Sequence, residues 1–332
     1  LEGLYFGCTG RSCRTNNERE VVRFGGSATR VVVRCEDDSG YPHEVSVGFA
    51  PGQPKRLRID GAAVERLTEA PGRPLVSVFL PDRLELIKGP PALRRAHLDQ
   101  VVAALWPARA QTRRAYAQTL AQRNALIARV RAGNAAPTSL HTWNSQLAGQ
   151  AIALMSDRDQ TVAAVAEPSR RIAATLGLGG DLTVSYRRRA KAGTADELVA
   201  ELESRLEQDL ERGFSTHGPH RDDVSIRLAD RELRIYGSQG QQRLGLLSLL
   251  LAEREAITAT RAAPPLMLLD DVFSELDSER RRALVDLLRA EAGQSLITTT
   301  EPDHVPGLSD DVRFVAVSQG RLVADPVGAG VT

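Results

Sequence analysis

Lysine is almost missing from this chain: Lys55, Lys88 and Lys191 are the only lysines among 43 basic residues in a length of 332. With arginine so dominant and alanine abundant, the basic count has the look of coding bias, and arginine richness alone is weak ground for phosphate binding. The net charge of +1 excludes a global field that gathers nucleic acid, so any such contact must come from local patches. Aromatic residues make up 4%, too few for stacking platforms under single-stranded bases. Cys8, Cys13 and Cys35 are odd in number and lack C-x-x-C spacing, which argues against a disulfide framework and against structural zinc. No apolar run approaches a membrane span and no basic leader precedes a cleavage site, so we expect a cytoplasmic protein. The phosphate-cradling loop G-x-x-x-x-G-K followed by Ser or Thr does not occur either.

Residues 266–269 are Leu-Met-Leu-Leu, and they run into Asp270 and Asp271. A buried strand ending in paired carboxylates suits a phosphate site, where one acid holds a Mg2+ water and the next polarises the attacking water. Taken alone, that pattern divides evenly between catalysis and a buried structural pair. Its surroundings shift the balance. Ser274-Glu275-Leu276-Asp277 follows at a short interval, and Ser238-Gln239-Gly240-Gln241-Gln242 stands upstream at the head of a leucine-rich segment. A hydroxyl and a glycine at a helix N-terminus make an anion site. These spacings match a nucleotide-sandwich ATPase of the ABC type, in which the upstream signature meets the γ-phosphate held by the opposite protomer.

Along the chain, residues 1–6 read as the tail of a helix, and 30–35, 44–49 and 75–80 read as strands. From 91 to 176 the texture becomes Ala, Arg, Leu and Gln, which predicts antiparallel helices broken at Pro107, at 133–137 and at Pro168. Strands are expected at 182–186, 223–228, 233–236, 266–269, 295–299 and 313–317, and helices at 194–212, 278–290 and from the signature to Arg261. Leucines surround the last of these on all sides, which predicts burial. In a sheet of this type we expect 295–299 to pair with 266–269 on one side, with a vacant or substituted slot on its other side toward 313–317.

The resemblance becomes specific at Tyr236-Gly237-Ser238-Gln239-Gly240-Gln241-Gln242-Arg243, which is similar to the signature of the RecF recombination mediator family. Gly10-Arg11-Ser12-Cys13-Arg14-Thr15 resembles the family's G-R-S-H-R-T segment with Cys13 in place of histidine. Phe79-Leu80-Pro81-Asp82, Lys88-Gly89-Pro90-Pro91, Arg94-Arg95 and Leu98-Asp99 resemble its middle block, and Gly218-Pro219-His220-Arg221-Asp222-Asp223 its G-P-H-R-D-D block. The match spans essentially the whole chain. It implies an α/β fold, an ABC/SMC-type P-loop ATPase head at 1–100 and 213–332, and a helical arm at 101–212 with no long coiled coil. It also implies that about forty residues carrying the phosphate loop precede Leu1.

On the same resemblance, ATP and Mg2+ are the cofactors of the intact protein. ATP joins two heads as a homodimeric clamp on duplex DNA at single-strand gaps, slow hydrolysis releases it, and RecO and RecR are partners in RecA loading. Asp270 would orient Mg2+, Asp271 would activate water, Ser238, Gln239, Gly240 and Gln241 would meet the nucleotide in trans, and Asp277 would line the dimer seam. Where ABC transporters place a switch histidine, Thr299, Thr300 or Glu301 would contact phosphate or water. The basic clusters Arg187-Arg188-Arg189 with Lys191, and Arg113-Arg114, are candidates for DNA phosphates, although each alone reads more simply as a solvated face. His217 and His220 with Asp222 and Asp223 suggest metal ligands only weakly, since no third soft ligand accompanies them. Two other readings stay open: a nucleotide-independent DNA or partner-binding scaffold, and another SMC-like ATPase. A nuclease of that last kind would bring an added acidic metal-binding domain.

Overall fold

Helix α1 (Glu2–Thr9) opens the computed structural model, which describes residues 1–15, 17–37, 39–67, 74–80, 84–291, 293–301, 304–306 and 312–323. Strands β1 (Thr29–Glu36), β2 (Pro42–Phe49), β3 (Arg56–Ile59) and β4 (Ala62–Ala63) follow as a four-stranded antiparallel sheet in that spatial order. Period-two alternation turns Val45, Val47 and Ile59 inward against Phe6 and Leu67, and Val33, opposite Val45, is buried on the same face. Gly7 allows α1 to lie on this sheet, because a Cβ there would sit 2.4 Å from Val33 Cγ2. Strands β3 and β4 lay below the resolution of the sequence pattern, being short and rich in arginine and alanine.

Strand β5 (Val76–Phe79) belongs to a second sheet, and short α2 (Glu85–Lys88) leads into α3 (Pro91–Leu105), which begins with proline at its first position. Helices α4 (Ala110–Arg131) and α5 (Leu140–Thr175) pack on each other, and α5 runs through Pro168. The expected break there does not occur. Proline removes one N–H from the ladder, but Val165, Ser169 and Ile172 around it are buried, and that packing holds the helix together. Strand β6 (Leu182–Arg187) pairs with β7 (Asp223–Leu228), and between them lie α6 (Ala195–Ser204) and α7 (Leu206–Arg212) in place of one continuous helix. The break at Arg205 lets α6 pack on α5 while α7 packs on α4. After the two-residue β8 (Arg231–Glu232), the expected strand at 233–236 is instead a helical turn, α8 (Leu233–Tyr236). Its alternation reflects one buried residue, Leu233, between exposed neighbours rather than a sheet face.

Helix α9 (Gln239–Arg261) is buried continuously from Leu244 to Arg254 and contributes to a core shared with α3, α5, β7 and α10 (Ser278–Ala290). Strand β9 (Leu266–Asp270) lies between β10 (Ser295–Thr298) and β5, all parallel. Met267, Leu268 and Leu269 are fully buried, as expected for a parallel strand covered on both faces. Met267 and Leu269 join the core that holds α9, while Leu268 joins Val78 and Leu80, with Leu4 and Tyr5 of α1 packed against them. Among the described residues β10 pairs only with β9; the strand expected at 313–317 is β11 (Ala316–Ser318), in a hairpin with β12 (Arg321–Val323). No helix among the described residues is long and apolar enough to cross a membrane.

Candidate nucleotide-binding site

The C-terminal end of β9 holds the two acids. Register places Thr298 opposite Asp270, and the Thr298 hydroxyl donates to Asp270 Oδ1 at 2.5 Å while accepting the N–H of Asp271 at 3.2 Å. The other carboxylate oxygen of Asp270 accepts Arg14 Nη2 at 3.0 Å, and this hydrogen bond and charge raise the arginine pKa further. Arg14 stands in the turn after α1, where Ser12 Oγ accepts the N–H groups of Arg14 and Thr15 and donates to Glu2 at 2.5 Å. Cys13, where the resembling family has histidine, packs beside the Val78, Leu80 and Leu268 cluster. Asp271 adopts a left-handed backbone, φ 45° and ψ 36°, which only short polar side chains accept readily apart from glycine. Its Oδ1 is buried with no hydrogen-bond partner among the described residues.

The signature opens α9 as a capping box: Ser238 Oγ accepts the N–H of Gln241, and Gln241 Oε1 accepts the N–H of Ser238. The first-turn N–H groups of Gln239 and Gly240 precede any carbonyl four residues back, so the helix itself gives them no partner. Gln242 is buried, its side-chain amide donating to the carbonyls of Leu233 at 3.1 Å and Gly237 at 3.0 Å, which fixes the turn from α8 into α9. Ser238, Gly240 and Gln241 line a cavity of about 220 Å³ together with Asp271, Arg243, Arg280 and the Gly177–Gly179 loop. One cavity thus receives the signature and one of the two acids.

Gln239, Asp270 and Asp277 are not among that lining. Asp277 is the N-cap of α10, accepting the N–H of Arg280 at 2.9 Å. Past β10, the Thr299 hydroxyl donates to the Glu301 carbonyl and accepts its N–H, while Thr298, one residue earlier, contacts Asp270. The basic clusters are largely engaged within the chain: Arg187 pairs with Glu232 at 3.3 Å, Arg188 with Asp159, and Arg113 with Asp99 at 3.0 Å. Arg114 is half-buried, while the side chains of Arg189 and Lys191 are exposed. Pro81 and Asp82 of the middle block lie outside the described residues.

No family model matches the chain. A DNA replication and repair protein RecF from Myxococcus xanthus is 36% identical over 334 residues, covering 97% of this chain and 87% of that protein. The chain belongs to the RecF family. A RecF protein from Symbiobacterium thermophilum is 34% identical, covering 99% of this chain and 89% of that protein. Two solved structures of the recombination mediator protein RecF in the RecFOR pathway superpose with a TM-score of 0.81 each. The one with ATPrS is 25% identical and covers 97% of this chain and 87% of its own; the one with ATP is 26% identical and covers 91% and 83%. The α/β ABC/SMC-type head fold and a role in DNA replication and repair follow from this membership.

Within this RecF-family chain the G-P-H-R-D-D block joins elements rather than lining the cavity. The buried Asp222 carboxylate accepts the Tyr186 hydroxyl and the N–H of Arg189. Burial outweighs those bonds and raises its pKa. Arg95 donates to the Asp222 carbonyl at 2.7 Å, Arg94 makes a two-pronged bond to Asp223 at 2.8 and 2.9 Å, and Arg158 of α5 reaches both Asp99 and the Pro219 carbonyl. His220 Nε2 meets the Ser215 carbonyl at 3.0 Å and its Nδ1 the Tyr116 hydroxyl at 2.6 Å, a pattern that suits the neutral ring. Burial pushes its pKa down to about 4. His217 bonds Glu201 instead, so the two histidines serve separate partners.

Proposed function

We propose that two copies of this protein close as an ATP-dependent clamp on duplex DNA at single-strand gaps, acting in the cytoplasm with RecO and RecR to promote RecA loading. The observation that carries this reading is the cavity that gathers Ser238, Gly240 and Gln241 at the head of α9 with Asp271 beyond β9. Related solved structures with ATP and ATPrS support the same cofactor. We read residues 1–100 and 213–332 as the head and 101–212 as the arm; the α4 and α5 pair supports that division.

The residues fit a nucleotide and its metal. Asp271 Oδ1 is buried without a partner among the described residues, as expected of a carboxylate oxygen that faces a water, and Asp270 already attracts a cation in the form of Arg14. Asp270 would hold Mg2+ through water, and Ser238, Gln239, Gly240 and Gln241 would face the γ-phosphate of the opposite copy, with Asp277 near the seam. When bound, ATP with Mg2+ supplies the phosphoryl group and the charge that joins the heads. The chain's own groups do the rest: Asp271 accepts a proton from water at its unpartnered oxygen, Thr298 holds both acids in register, and the helix α9 N-terminus attracts negative charge. Arg187, Arg188, Arg189, Lys191, Arg113 and Arg114 are retained as candidate contacts to DNA phosphates. In a form that carries a phosphate loop, Ser238→Arg should fill the anion site and abolish ATP-dependent dimerisation; equal dimer fractions for that variant and its parent in light scattering would remove the signature assignment.

A further inference from the structure

The outer face of the β1–β4 sheet carries positive charge that neither the signature nor the arm uses. Register sets Arg30 opposite Gly48 and Gly48 opposite Arg56, and on the next outward rung Val32, Ser46 and Arg58 stand in line. Arg34 follows, paired with Glu44 at 3.2 Å. Arg30, Arg56 and Arg58 are exposed and form no ion pair with any described residue, in contrast to Arg187, Arg188 and Arg113 on the other basic clusters. The opposite face of the same strands is buried through Val45, Val47 and Ile59, so the charges stand on a fixed platform.

We infer that this outer sheet face is a contact surface for the phosphate backbone of duplex DNA, carried by Arg30, Arg56 and Arg58. The inference rests on the clamp reading and supplies it with a DNA-facing surface. Geometry favours a backbone. Arg56 and Arg58, residues i and i+2 of one strand, lie about 6.8 Å apart on the same face, within reach of neighbouring phosphates of one DNA strand. Arg30 and Arg56 flank β2 at about 10 Å from each other, and Gly48 between them has no side chain to hold a phosphate away. Outward residues at these rungs include no aromatic ring, so base stacking has no platform and contact is made to phosphate, independent of sequence. Arginine suits the role, since its fork binds phosphate oxygens in pairs.

The test is a salt titration of binding to a labelled duplex by fluorescence anisotropy, without nucleotide, using the 332-residue chain. The triple variant Arg30→Gln, Arg56→Gln, Arg58→Gln should flatten the slope of log Kobs against log salt by about 2–3, near 0.9 for each lost phosphate contact. The charge-preserving variant Arg30→Lys, Arg56→Lys, Arg58→Lys should keep the wild-type slope; an equal loss in both variants would mark a structural effect and overturn the inference. A glutamine variant with the wild-type slope overturns it as well, as does loss of polyglutamate binding with DNA binding intact, which would assign the face to an acidic protein partner. A wild-type chain that fails to bind duplex without nucleotide, or one that binds with an unchanged variant slope, removes this surface, while the clamp reading, which requires ATP, is tested separately by the dimerisation of Ser238→Arg.

Discussion

Asp271 combines three properties that single it out among the acids: a left-handed backbone, a position at the end of a buried strand, and a carboxylate oxygen with no partner among the described residues. Asp271→Asn keeps shape and loses the negative charge, so in a form that carries a phosphate loop it should bind ATP and dimerise while hydrolysing at least about 100-fold more slowly; phosphate release under single-turnover conditions measures this. The Asp270-Asp271 pair was legible in the sequence because strand and acids are contiguous. Thr298 and Arg14 were not, since they reach Asp270 across separations of 28 and 256 residues, through sheet register in one case and a turn packed on the sheet in the other. His220 offers a pH test. Its folded pKa of about 4 lies below the ordinary histidine value of 6.5, so the unfolded chain takes up the proton first as pH falls. The contribution to stability is complete above about pH 6.5 and is lost between there and about pH 4, on the order of 3 kcal/mol. Urea unfolding at pH 7.5 and at pH 5 should therefore show a smaller pH difference for His220→Gln than for wild type, and an unchanged difference would refute the neutral buried histidine.

Elements are held to each other by charge pairs whose worth depends on burial. Arg123 of α4 and Asp209 of α7 are both fully buried at 2.7 Å, and Asp209 also accepts the N–H and hydroxyl of Thr216. Removing one partner leaves an uncompensated charge, so Asp209→Ala should cost about 3–5 kcal/mol in urea denaturation. Arg113→Gln breaks a pair whose arginine side chain is 61% exposed and should cost no more than about 1 kcal/mol. Equal losses would mean that burial does not govern these contacts. The same pair explains why the helix predicted over 194–212 is divided: α7 turns Asp209 onto Arg123 while α6 stays on α5, a tertiary demand with no local signal. Elements with strong local signals were readable, α10 and β7 to the residue and α9 to within its cap, because apolar patterning and capping residues agree there. Pro168 misled for the opposite reason: its local preference is overridden by the buried residues around it.

At the scale of the molecule, the two faces of β9 divide the labour. One side joins the core built on α9, whose N-terminus presents the signature, and the other is covered by α1, whose following turn brings Arg14 to Asp270. Such an arrangement positions two carboxylates and a helix N-terminus, but tight nucleotide binding also calls for a lysine among backbone N–H groups. None of the three lysines offers that: Lys55 bonds Glu18 and the Gly10 carbonyl, Lys88 ends α2, and Lys191 follows the Arg187–Arg189 cluster, so none lines the cavity beside Asp271. The 332 residues by themselves should therefore show no ATP-dependent dimer and no ATPase above background. Two copies would bring two signatures together without a phosphate loop to face either one. Titrating a labelled ATP analogue against this chain, and against a version with a G-x-x-x-x-G-K loop and its strand supplied ahead of Leu1, separates the possibilities. Tight binding by the second alone is expected. Equal tight binding by both would mean that the cavity of Ser238, Gly240, Gln241, Arg243 and Arg280 holds the phosphates within one copy, and the assignment of the signature to a partner's nucleotide would have to be abandoned.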